Sequence, residues 1–250
     1  MKASIKYLAK PVLASLALAM SANAAVVNWQ TPVAITGDTD VATTGTLVGA
    51  FIPGSDALST TVNGVAFTPV FVAKDWNNTS TPSLSFGSVA TLAGAPSLYG
   101  FAQYEGGAAP SGLSGDYTKL FSGGVGPATT TNYIYLTLTN LTIGKDYLFQ
   151  SWANDSRAVQ SARYQTITAN TFGGSESGVL DYNLSNLDGG TGSYVIGTFT
   201  ADATDQVMLY SSPGYAQINA FQVRAVPEPS SFAIALGGIG AFVLRRRRAA

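Results

Sequence analysis

The 250-residue sequence contains no cysteine and no histidine, and only 11% of its residues are charged. Without cysteine there can be no disulfide, no thiolate nucleophile and no zinc–thiolate site. Without histidine the commonest general base and metal ligand is missing, which excludes a Ser-His-Asp triad. No Gly-x-Ser-x-Gly elbow stands in for one. Carboxylate chemistry is the main route left, and a glycosidase needs two carboxyl groups about 5 to 10 Å apart. Most carboxylates here sit in turn-like settings such as Gly37-Asp38-Thr39-Asp40 and Leu187-Asp188-Gly189-Gly190, where aspartate shapes the backbone. A non-enzymatic protein is therefore expected.

The few charges are unevenly spread. Seven of the 13 basic residues lie at the chain ends: Lys2, Lys6, Lys10 and Arg245 to Arg248. Between the ends, six basic residues (Lys74, Lys119, Lys145, Arg157, Arg163 and Arg224) face 13 acidic ones, a net of −7. An acidic body argues against nucleic acid as a partner.

What is present at the two ends is address information. The N-terminus, MKASIKYLAKPVLASLALAMSANAA, has a basic stretch, an apolar stretch from Val12 to Met20, and small residues at Ala22 and Ala24. This is a signal peptide over residues 1–24, cut by signal peptidase after Ala24 or its neighbour Ala25. The C-terminus, VPEPSSFAIALGGIGAFVLRRRRAA, runs from Pro227-Glu228-Pro229 through an uncharged apolar segment, Phe232 to Leu244, to Arg245, Arg246, Arg247 and Arg248. As a helix those 13 residues would span about 20 Å, short of a hydrocarbon core of about 30 Å. The arginines would hold that end in the cytoplasm and leave the body outside. Pro227 and Pro229 keep the preceding stretch extended, the form in which a protease reads a backbone.

In that order and spacing, residues 226–250 resemble the PEP-CTERM sorting signal of Gram-negative bacteria, which the membrane protease-transpeptidase exosortase handles. The resemblance implies an inner-membrane-anchored precursor, removal of the tail, and a destination at the cell surface or outside the cell, often alongside exopolysaccharide.

Residues 25–225 are rich in Thr, Ser, Gly, Val and Tyr, in short alternating runs broken by Gly, Asn, Asp and Pro. That pattern predicts an all-β sandwich. Ile134, Leu136 and Leu138 alternate with Tyr135, Thr137 and Thr139, and a turn at residues 141–145 should return Asp146 to Ala153 as a hairpin partner. Other expected strands are Val26 to Ile35, Thr46 to Phe51, Thr60 to Ala73, Leu84 to Ala90, Ser97 to Tyr104, Ala162 to Ala169, Gly178 to Asn183, Ser193 to Ala201, Gln206 to Ser211 and Ala216 to Arg224. The runs NLTIGKDYLFQSWANDSR, YVIGTFTAD and YAQINAFQVR are similar to the later strands of galactose-binding-like jelly rolls. That likeness implies a jelly-roll sandwich whose last strand returns beside the first.

Trp152, Asn154, Asp155 and Arg157 combine an indole face, an amide, a carboxylate and a guanidinium at a strand end, a set suited to stacking on a sugar ring and bonding its hydroxyls. The alternative is a core tryptophan, a turn built by Asn154 and Asp155, and a local pair between Arg157 and Asp155. Asp38 and Asp40 form a weak calcium candidate. The sequence thus reads as an exported surface or matrix protein, non-enzymatic, with extracellular polysaccharide as its candidate ligand. A structural or adhesive role is the alternative, and a polysaccharide hydrolase the less favoured one.

Overall fold

The computed structural model describes residues 25–74, 83–94, 97–102, 107–128, 133–158, 163–170 and 173–227. The signal segment with Ala22 and Ala24 lies outside the described residues, as do Glu228, Pro229, the apolar segment and Arg245 to Arg248. Among the described residues, no helix is long and apolar enough to cross a membrane.

The first half of the chain forms β1 (Asn28–Trp29), β2 (Val33–Ala34), β3 (Thr46–Gly54), β4 (Thr60–Val62), β5 (Val65–Phe71), β6 (Ser83–Phe86), β7 (Ala90–Gly94) and β8 (Leu98–Phe101). A short helix, α1 (Gly115–Thr118), and a 3₁₀ turn (Lys119–Phe121) separate these from the second half. There follow β9 (Gly124–Pro127), β10 (Tyr133–Leu138), β11 (Asp146–Ala153), β12 (Tyr164–Ala169), β13 (Leu180–Asp181), β14 (Ser193–Thr200), β15 (Gln206–Ser211) and β16 (Ala220–Val226).

Two sheets make a sandwich. The larger has the order β1-β14-β11-β16-β3-β5-β4, with β2 also paired to β14, and the smaller β13-β12-β15-β10-β7-β6. Pairing is antiparallel except between β3 and β5. The fold class expected from the alternating runs is present, and its reason is local: in β10, Ile134, Leu136 and Leu138 are buried while Tyr133, Tyr135 and Thr137 are half-buried. Those three meet Phe149, Phe221 and Val223 of the larger sheet in the inter-sheet core. Phe86, Phe221 and Phe51 form an aromatic chain through it, with ring centroids 4.9 and 5.2 Å apart around Phe86. Burying each such side chain is worth about 1.5–3 kcal/mol.

The expected hairpin between β10 and β11 does not form. β10 pairs with β15 and β7 in the smaller sheet, whereas β11 pairs with β14 and β16 in the larger one. The intervening turn, with Asn140 and Gly144 at positive φ, arches between sheets. A turn signal fixes where the chain reverses but not whether the next strand pairs or crosses over. Two other expected strands are divided. Thr60 to Ala73 is the β4–β5 hairpin, turned by Asn63-Gly64 at φ 48° and 75°, a pair suited to a tight hairpin turn. Val26 to Ile35 is interrupted between Trp29 and Val33, where Pro32 withholds a ladder donor. The last strand returns beside β3, not beside β1.

A second apolar cluster covers the outer face of the larger sheet. Ile35 and Val41, the β4–β5 hairpin through Val62, Val65 and Phe67, and Tyr117, Leu120 and Phe121 all close on Ile52, Trp152 and Ala220. The central strands β11 and β16 are therefore buried on both faces.

Candidate functional site

Contrary to the expectation for a sugar platform, Trp152 is fully buried. Its ring meets Phe67 edge-on at 5.8 Å and 78°, and its Nε1–H donates to Tyr117 Oη at 3.1 Å. The Tyr117 hydroxyl donates in turn to Asp40 Oδ2 at 2.9 Å. Burial, and then the Asp40 charge, push the Tyr117 pKa far above the ordinary phenol value, so that hydroxyl stays a donor. The physical reason for the correction is the outer layer of loop and helix, which encloses the end of β11.

Asn154 and Asp155 shape the turn after β11, as the alternative reading had it. Asn154 accepts from Gly192 N at 2.7 Å through Oδ1, and its own N–H donates to Asn219 Oδ1 at 2.8 Å. Asp155 is 3% exposed and accepts both Arg157 Nε at 2.8 Å and Arg157 Nη2 at 2.6 Å. Those hydrogen bonds are the main reason the Arg157 pKa is raised. The pair uses two of the five guanidinium N–H groups and leaves three outside it.

Asp38 and Asp40 are each engaged in hydrogen bonds within the protein. Asp40 closes its own loop, accepting from Thr36 N at 2.7 Å, Thr36 Oγ1 at 2.8 Å and Gly37 N at 3.0 Å. Asp38 accepts from Ser114 Oγ at 2.6 Å. Among the described residues, no group of three or more carboxylate, thiol or imidazole side chains gathers.

A hollow lies instead at the end of the sandwich where β11 and β15 finish and β12 and β16 begin. It has a volume of about 450 Å³, within the range of about 300–1,000 Å³ usual for small-molecule clefts. Tyr99 and Phe101 of β8 supply one wall, with ring centroids 5.6 Å apart. Tyr215 supplies another, with the Arg163 guanidinium 5.1 Å above its ring. Lys74, Arg157 and Gln217 complete the polar lining. Three of the six basic residues of the body thus reach one cleft.

The floor is a lattice of buried amides. Gln217 donates from its backbone to Gln165 Oε1 at 2.9 Å and from Nε2 to the Asn154 carbonyl at 2.9 Å. Asn219 Nδ2 donates to the Gly123 carbonyl at 3.2 Å, and Tyr182 Oη lies 2.7 Å from the Tyr215 carbonyl. Burial raises the Tyr182 pKa strongly, which keeps that hydroxyl a donor. The antiparallel β8–β9 pair is held against the same loop by the Val125–Ile218 bridge. Gly124 permits the close approach, because a Cβ there would strike the Phe101 ring.

Of the predicted site residues that the structure describes, only Arg157 lines this cleft. Lys74, Tyr99, Phe101, Arg163, Tyr215 and Gln217 carried no local motif. The usable signal was the scarcity of charge: in a body with six basic residues, each is worth placing individually.

At the other end of β16 the strand runs to Val226, and Pro227 follows it exposed. No curated protein and no solved structure matches this chain. The family model described as the PEP-CTERM protein-sorting motif matches residues 225–248, the segment that begins as the last strand ends; the chain carries a PEP-CTERM sorting signal, which implies export and sorting through its C-terminal tail.

Proposed function

We propose that this protein is a non-enzymatic, carbohydrate-binding component of the cell surface or extracellular matrix, taking polysaccharide in the cleft at the end of the sandwich. The observation that carries the reading is the lining: Tyr99, Phe101 and Tyr215 offer ring faces and edges, and Arg157 offers hydrogen-bond donors outside its pair with Asp155. Sugar rings pair apolar C–H faces with hydroxyls, and such a mixed wall matches both. Binding is favoured over hydrolysis because no carboxylate is among the described lining residues, and Asp155 beside it has both oxygens engaged by Arg157. The sandwich is of jelly-roll type in this reading, supported by the way β10, β11, β12, β14, β15 and β16 pass between the two sheets.

The test is retention of the exported, processed protein on polysaccharide resins, compared with Tyr215→Ala and Phe101→Ala variants of unchanged melting temperature. Retention on at least one polysaccharide, weakened about tenfold or more in both variants, is expected from the loss of about 1–3 kcal/mol of ring contact. No retention on any polysaccharide would leave the structural or adhesive role.

Delivery is tested separately. Pro227→Ala with Pro229→Ala, or deletion of Arg245 to Arg248, should accumulate a heavier, unprocessed precursor in the membrane fraction. Mature mass and location unchanged in both variants would sink the role given to these residues in exosortase processing.

A further inference from the structure

We propose that the fold holds a receptor for its own processed N-terminus: hydrolysis of the Ala24–Ala25 bond turns the Ala25 nitrogen into an ammonium, which pairs with the Asp202 carboxylate and fastens the two sheets at that edge. The sequence leaves two candidate bonds for signal peptidase, after Ala24 and after Ala25. The geometry separates them. Ala25 N donates to Asp202 Oδ1 at 3.0 Å, and Ala25 is 6% exposed within the inter-sheet core. Its carbonyl accepts from Asn170 Nδ2 at 3.3 Å, and Asn170 is held in turn by Gln206 Nε2 at 2.6 Å. Val27 is buried as well, with its N–H on Ser175 Oγ at 3.0 Å, and Trp29 Nε1 donates to Ser175 O at 3.1 Å. A cut after Ala25 would discard the anchored residue and leave the exposed Val26 at the terminus.

In the cleavage step the oxygen of water joins the Ala24 carbonyl carbon as the C–N bond breaks. Both water protons pass to the Ala25 nitrogen, giving a carboxylate on one product and an ammonium on the other. A free α-amino group has a pKa of about 7.7–8.0, so the new terminus is mostly charged at neutral pH. A neutral amide donor thereby becomes a cation already within hydrogen-bond distance of a carboxylate oxygen, and charge strengthens such a bond. Asp202 is exposed, and exposed pairs are usually weak because two long side chains must be ordered. Here one partner is main chain, already held by Asn170 and by the core, so only Asp202 has freedom to lose. The position matters because residues 25–29 strap the sandwich: β1 pairs with β14 of the larger sheet, while Asn170 directly follows β12 of the smaller one. Removing the signal peptide therefore tightens the domain that it releases.

The experiment uses the exported, processed protein, its Asp202→Asn variant, and both again with one serine inserted before Ala25, the N-terminus of each being read by mass spectrometry. Wild type is expected to begin at Ala25. Asp202→Asn should lower the melting temperature by about 2–4 °C and speed acylation of the α-amine by an N-hydroxysuccinimide ester about fivefold near pH 7, because the unpaired amine loses its proton more readily. The inserted serine moves the ammonium one residue away and restores an amide at Ala25. In that background Asp202→Asn should change the melting temperature by less than about 1 °C and leave amine reactivity unaltered. A mature chain beginning at Val26 would overturn the proposal, since the paired nitrogen would be gone. Equal destabilisation by Asp202→Asn with and without the serine would overturn it by reducing Asp202 to an acceptor for a backbone N–H. Amine reactivity unchanged by Asp202→Asn in the uninserted protein would overturn the ion pair directly.

Discussion

Trp152→Ala is expected to cost about 4 kcal/mol of folding stability and to lower the melting temperature by roughly 8–16 °C, while leaving polysaccharide retention intact below that temperature. The size follows from the site. Trp152 has no exposed surface and sits in the outer cluster against Phe67, Ile52 and Tyr117. Truncation opens a cavity between the larger sheet and its covering loop and helix, and it also removes the donor that Tyr117 Oη receives. Trp152→Phe separates the two contributions: it refills most of the space but cannot donate, so a loss of about 1–2 kcal/mol is expected. Thermal unfolding followed by circular dichroism reads both variants. A melting temperature within 2 °C of wild type for Trp152→Ala, a tolerance set well under the roughly 2–4 °C per kcal/mol expected at this size, would contradict the packing of the outer layer. Loss of binding without loss of stability would return Trp152 to the ligand.

Arg224→Met is expected to destabilise the protein by about 3 kcal/mol, with the damage centred on the last strand. Arg224 is 7% exposed and all its hydrogen-bond partners are carbonyl oxygens. Nε donates to Thr44 O at 2.9 Å, Nη2 to Thr43 O at 2.9 Å and Gly45 O at 2.8 Å, and Nη1 to Gln222 Oε1 at 3.3 Å. Desolvation lowers its pKa, but an arginine remains charged, and the fan of carbonyl dipoles compensates that charge. Methionine keeps the stem packed and orphans three backbone acceptors. Thr43 and Thr44 are exposed, so water recovers part of the loss and holds the estimate below the sum of three charged bonds.

The network continues inward from Arg224. Gln222 Nε2 donates to Gln150 Oε1 at 2.7 Å, and Gln150 Nε2 donates to Asp40 O at 2.6 Å. Losing Arg224 should therefore loosen residues 40–45 as well as the end of β16. Hydrogen exchange is the measurement: faster exchange confined to β16 and residues 40–46, with β10 and β15 unchanged, is expected. Arg224→Lys should rescue only in part, because one ammonium cannot reach three diverging carbonyls. Full rescue by lysine would show that charge alone matters there. Because β16 ends at Val226 and the sorting motif begins at residue 225, a loosened last strand would also extend the protease-accessible stretch back into the domain. Longer tail-proximal fragments in Arg224→Met cells would register that effect.

Much of this protein was legible in the sequence because the signals were local. The C-terminal address needs only the order of Pro-Glu-Pro, an apolar run and arginines, since a protease reads an extended segment residue by residue. Period-two alternation placed β10, because a half-buried strand must alternate. What the sequence left open were choices between distant partners. β10 and β11 look like a hairpin, yet they lie in opposite sheets, since both hydrogen-bonding edges of β11 are taken by β14 and β16. Trp152 looks like a ligand-facing residue, and it is buried because a loop and a short helix from upstream in the chain cover that face. Local pattern determined the export and the β class; the cleft that gathers Lys74, Arg157 and Arg163 exists only after the strand ends are brought together, because its residues share no spacing in the chain.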